Sequence, residues 1–87
     1  MNTLAQLESG ALQGATHLKL AEALTTFPEA IFSLADTLEI LDLSGNRLTA
    51  LPDDLHRLKK LKVIFASNNP FTELPASLGL CENLEMI

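Results

Sequence analysis

Three leucines, Leu38, Leu61 and Leu84, stand 23 residues apart, and the residues between them recur in register. From Leu38 the apolar and special positions are Leu38, Leu41, Leu43, Asn46, Leu48, Leu51, Pro52, Leu55 and Leu58. One period later they are Leu61, Ile64, Ala66, Asn69, Phe71, Leu74, Pro75, Leu78 and Cys81. A fixed period of this size describes a chain that builds one small unit after another, each burying its apolar side against its neighbours. The constraint is strong because the chain has 87 residues. A single domain of that size buries only about 60% of its unfolded surface, so its core has to be regular.

Each unit mixes two periodicities. Leu41 and Leu43 alternate as in a short strand with one apolar side, whereas Leu55 and Leu58, after Pro52, have the spacing of a helical turn. The chain must reverse between them, which leaves backbone donors and acceptors where water does not reach. A primary amide supplies both kinds of partner, and leaving such a group unpaired costs about 1–3 kcal/mol. Asn46 and Asn69 are therefore expected to be buried structural groups, stacked one behind the other. On the helical side Pro52 is expected in a first turn, with Asp53 and Asp54 at its positive end and Lys59 and Lys60 at its far end; Asp53 and Arg57 are spaced to pair.

The pattern LxxLxLxxNxL followed by LPxxLxxL resembles a leucine-rich repeat of the 23-residue intracellular type. The resemblance implies an α/β solenoid, with a short parallel sheet on a concave face, short helices or turns on a convex face, and an N-terminal helical cap. Two units match at nearly every position. A third, "HLKLAEALTTFPEAIFSL", fits when one residue is deleted between Leu20 and Leu24 and an extra one is allowed near "ADT". Ala23 then lies where the asparagine would fall. The divisions are a cap over 1–14, a degenerate repeat over 15–37, repeats over 38–60 and 61–83, and a further repeat beginning at 84–87, with Leu84 and Ile87 in its first two core positions. Within the cap, Thr3 and Gln6 have capping-box spacing, Leu4, Leu7 and Ala11 form one stripe, and the helix should end near Gly10 or Gly14.

Parallel stacking puts the strand residues between the core leucines on one extended surface, the usual binding side of a repeat protein. These are His17 and Lys19; Ile40, Asp42 and Ser44; Val63, Phe65 and Ser67. Phe65, an aromatic expected to be exposed, is the candidate anchor, with Val63 and Ile40 extending an apolar strip and Lys19 and Asp42 supplying charge at its edge. Partner-binding residues are thus expected to be Lys19, Ile40, Asp42, Ser44, Val63, Phe65 and Ser67, and the partner a protein or peptide.

Other chemistries are poorly served. A net charge of −5, with no Trp or Tyr, disfavours nucleic acid and anionic membranes. "RLKKLK", Arg57 to Lys62, holds four of the six basic residues, yet Leu58 and Leu61 are core positions that the cations flank. His17 and His56 lack metal-ligand spacing, Ser44 lacks a nucleophile-elbow context, and there is no phosphate-binding glycine loop. No catalytic residue, metal or cofactor is expected. Cys81 replaces Leu58 one period on and is expected to be a buried small hydrophobe. The lone cysteine and the lack of a signal segment make a cytoplasmic setting the expectation. Two further readings stay open. "LDLSGNRLTALPDDLHRLKKL" is similar to N-terminal repeats of certain bacterial proteins that continue into a protein-kinase-like domain, which implies a regulatory or recruiting segment of an enzyme. An uncapped C-terminal strand edge would instead favour self-association.

Overall fold

The computed structural model describes residues 2–76, 78 and 84–87. A short helix, α1 (Leu4–Glu8), precedes four strands: β1 (His17–Lys19), β2 (Ile40–Asp42), β3 (Val63–Phe65) and β4 (Glu85–Met86). All neighbours pair in parallel, in the order β1-β2-β3-β4. Parallel pairing of consecutive strands requires the chain to cross back on the other side after each one. The crossovers carry 3₁₀ turns at Glu29–Leu34 and Leu55–Arg57.

The strand registers follow the period. Leu18 sits beside Leu41, and Leu41 beside Ile64. All three are buried, together with Leu20, Leu43 and Ala66 from the strand ends. The crossovers return Ile31, Phe32, Leu34, Leu51, Leu55 and Leu58 to the same core. Each such side chain, taken fully from water, contributes about 1.5–3 kcal/mol, so the core outweighs every polar term discussed below.

The two asparagines fill the gap between the layers. Asn46 is buried, and its Nδ2 donates to the carbonyls of Leu20 (2.9 Å) and Leu43 (2.7 Å). Its Oδ1 accepts from the amides of Glu22 and Leu24, both at 3.1 Å. Asn69, half-buried rather than buried as expected, repeats the arrangement one lap later: Oδ1 accepts from Leu48 N at 3.1 Å, and Nδ2 donates to Leu43 O and Ala66 O at 2.9 and 3.1 Å. The Leu43 carbonyl thus accepts a hydrogen bond from each asparagine and joins the two into one ladder.

At the start of the chain, Thr3 and Gln6 form the reciprocal capping box that their spacing predicts, and Leu7 reaches the core. Asn2 lies along the outer edge of β1, donating its amide to Lys19 O at 3.1 Å and accepting from Lys19 N at 3.0 Å through Oδ1. Glu22 accepts the amide of Leu4 at 2.6 Å. Gly10 and Gly14 reverse the chain after α1 in the left-handed region, at φ 84° and 85°.

Three expectations are corrected. Val63 pairs with Glu85 and Ile64 with Met86, so the last register is one residue short of the period; Met86, not Ile87, falls behind Ile64. Arg57 pairs with Asp54 (3.0 Å) and with Glu29 of the preceding lap (3.2 Å), not with Asp53, because the turn is 3₁₀ and brings residues three apart together. Its guanidinium also lies 4.1 Å from the centre of the Phe32 ring. Asp54 first, and Glu29 after it, hold the Arg57 pKa above its ordinary value. Pro52 lies ahead of the turn rather than in it, since the capping position is Asp54. Cys81 lies outside the described residues.

Candidate protein-binding face

Alternation along three-residue strands decides which side chains remain available. The middle residues Leu18, Leu41 and Ile64 point inward, so the flanking residues point to the other side of the sheet, where they are half-buried or exposed. The register then arranges them in rows across the strands. One row reads His17, Ile40, Val63, Glu85, and the next Lys19, Asp42, Phe65. Adjacent members of a row are about 4.8 Å apart, close enough for one partner side chain to touch two of them.

All the residues expected on the face from the repeat pattern come together here, with Ser44 half-buried and Ser67 exposed just past the strand ends. Phe65 departs from expectation in one respect: it is half-buried rather than freely exposed. A ring held in this way has already given up part of its rotational freedom, which lowers the entropic cost of using it as an anchor.

The charges on the face are paired in a specific manner. Asp42 accepts the Ser44 amide through Oδ1 at 3.0 Å, which fixes the carboxylate close to the backbone. Its other oxygen lies 3.8 Å from Lys19 Nζ, beyond hydrogen-bond distance, and the Lys19 side chain is 55% exposed. Along the near border of the sheet Glu39 meets Lys62 at 3.5 Å. Exposed pairs of this kind contribute little to stability, so the lysines are not committed to them.

Two features of this surface escape the repeat reading. Glu85 joins the row of Val63 only because the last register slips by one residue. Beside it, Lys59, Lys60, Leu61, Lys62, Val63 and Glu85 line a shallow depression that opens next to the apolar strip. The signal for it was the "RLKKLK" run, which places lysines on both sides of a core leucine. Among the described residues, no three His, Cys, Asp or Glu side chains gather as a metal site would need, and no helix is long and apolar enough to cross a membrane.

Comparison with known proteins agrees with this geometry. The family model described as Leucine Rich repeats (2 copies) matches residues 36–79, half of the chain. The chain belongs to the leucine-rich repeat family. Among its relatives, human leucine-rich repeat-containing protein 58 is 37% identical over 70 residues, 74% of this chain and 19% of that protein. Mouse leucine-rich repeat serine/threonine-protein kinase 1 is 42% identical over 52 residues, 59% of this chain and 3% of that protein. Human PH domain leucine-rich repeat-containing protein phosphatase 1 is 31% identical over 75 residues, 82% of this chain and 4% of that protein. The chain therefore spans about a fifth or less of the length of these relatives. Domains of this family are in general protein-interaction modules, and the open sheet face is where this leucine-rich repeat chain presents its mixed apolar and charged surface.

Proposed function

We propose that this leucine-rich repeat domain binds a protein or peptide through the open sheet face, the concave side of a short solenoid, with Phe65 as anchor. The supporting observation is the register. It sets Phe65 beside Asp42 in one row and Val63 beside Ile40 in the next, making an apolar strip with charged and hydroxyl groups at its border. Residues 1–14 act as the cap of the first repeat in this reading. The chain itself carries no catalytic role and works in the cytoplasm.

The test begins with peptides selected from a random display library against the immobilised domain. Their Kd is then measured on the parent and on Phe65→Asp, with circular dichroism to check that the fold is kept. Loss of at least tenfold in affinity with an unchanged spectrum supports the face; equal affinity places the binding elsewhere.

A second reading is favoured by the comparisons. Relatives named as a protein kinase and a protein phosphatase carry similar repeats, so the domain is also read as a recruiting or regulatory segment of a larger enzyme. Under that reading the same face selects a substrate or restrains a catalytic domain. Activity assays of the complete gene product, with and without Phe65→Asp, distinguish recruitment from a purely structural role.

A further inference from the structure

The lysine-lined depression lies at one end of the apolar strip and says something about what the strip takes. Its walls are apolar, from Leu61 and Val63, and Val63 belongs at the same time to the row containing Ile40. Lys59, Lys60 and Lys62 line the depression as well, and Glu85 is the one acidic residue among the described lining residues. Lys59 and Lys60 are exposed, and Lys62 keeps 67% of its side chain in solvent while it touches Glu39. This cationic pocket occurs in a chain of net charge −5, so it is a local departure from the field of the whole molecule.

We propose that the occupant of the face is a peptide segment with an apolar side chain followed by a short acidic run: the apolar group covers Val63 and Phe65, and the carboxylates reach Lys59, Lys60 and Lys62. The proposal rests on the binding face argued above and adds the charge of the partner. An extended peptide advances about 3.4 Å per residue, so carboxylates two to four residues beyond the anchor stand about 7–14 Å away, in reach of long flexible lysines. Opposite charges at the rim of an interface chiefly steer encounter and select among partners, which suits a site whose anchor is apolar. A nucleic acid is the poorer fit, because base stacking needs exposed aromatic platforms and the strip offers Phe65 alone, half-buried.

The experiment uses three blocked peptides, Ala-Phe-Ala followed by three Glu, three Gln or three Lys, titrated into the isotopically labelled domain and followed by amide chemical shifts. Single-stranded oligothymidine serves as a fourth probe. The Glu peptide is expected to bind about fivefold more tightly than the Gln peptide at low salt, as two or three exposed charge pairs allow, and the advantage should shrink toward nothing near 0.5 M salt, where the Debye length is only about 4 Å. Shifts should centre on Val63, Phe65 and Lys59–Lys62. Lys59→Glu/Lys60→Glu, both at exposed positions, should reverse the order and favour the Lys peptide. Equal affinities for Glu and Gln peptides, an unchanged order in the double variant, no measurable binding of any peptide, or tighter binding of the oligonucleotide would each overturn the acidic-flank proposal. Phe65→Asp separates the two claims. If it weakens all peptides while Glu and Gln bind alike, the face stands and the acidic flank falls. If the Glu preference survives with no loss of affinity, the anchor assignment falls.

Discussion

The turn after β1 and the turn after β2 solve one problem with different materials. After β2 the chain reverses through Gly45, at φ 75°, and Asn46 fills the space with an amide that makes four hydrogen bonds. After β1 no amide side chain is present, and Ala23 takes the left-handed conformation at φ 55°. The backbone groups of this first turn are nevertheless satisfied, because Glu22 N, Leu24 N and Leu20 O all bond to Asn46 of the next lap. A repeat can lack its own asparagine if the following repeat reaches back into it. The extra residue of the first crossover is visible in the bonds themselves: Asn46 accepts from a leucine 22 residues earlier and Asn69 from one 21 residues earlier.

The contrast can be broken in stages. The largest effect is expected for Asn46→Leu, which strands Leu20 O, Glu22 N and Leu24 N in the interior; a loss of about 3 kcal/mol or more follows from several unpaired buried groups, read as a fall in the urea midpoint. Asn69→Leu should cost less, about 1–2 kcal/mol, because Asn69 is only half-buried and some of its partners reach solvent. Gly45→Ala should cost about 1 kcal/mol through backbone strain alone, since a Cβ at that site meets no atom within 4 Å. The reciprocal change, Ala23→Gly, should gain roughly 0.5 kcal/mol, as relief of left-handed strain outweighs the extra entropy of the unfolded glycine. If Ala23→Gly destabilises as much as Gly45→Ala, the two turns are not under the opposite strains described.

The strands, the asparagine ladder and the leucines buried as far as Leu61 were readable from the 23-residue period because each is a property of equivalent positions in successive laps, although Leu74, one period after buried Leu51, is 49% exposed. The face residues followed from the same alternation, which is why Ile40, Val63 and Phe65 meet as expected. What the period could not carry is whatever depends on a local departure from it. The slip that brings Met86 behind Ile64, and Glu85 into the row of Val63, is a departure of one residue. The Arg57 contacts with Glu29 and Phe32 join laps at a separation set by the longer first crossover, whose 3₁₀ turn runs from Glu29 to Leu34. Asn2 holds the edge of β1 through a side chain that imitates a backbone carbonyl, and no repeat signal marks it. The lysine depression carries no signal of its own in the sequence, because flanking a core leucine is what exposed lysines ordinarily do.

Amide hydrogen exchange tests the ladder, and with it the stacking that builds the face, most directly. Glu22 N, Leu24 N and Leu48 N have asparagine oxygens as their acceptors. They should be protected in the parent. Under conditions where the rest of the core stays folded, Asn46→Ala should release Glu22 and Leu24 selectively, and Asn69→Ala should release Leu48. Unprotected exchange at all three amides in the parent chain, or indifference of each to its own asparagine, would contradict the account.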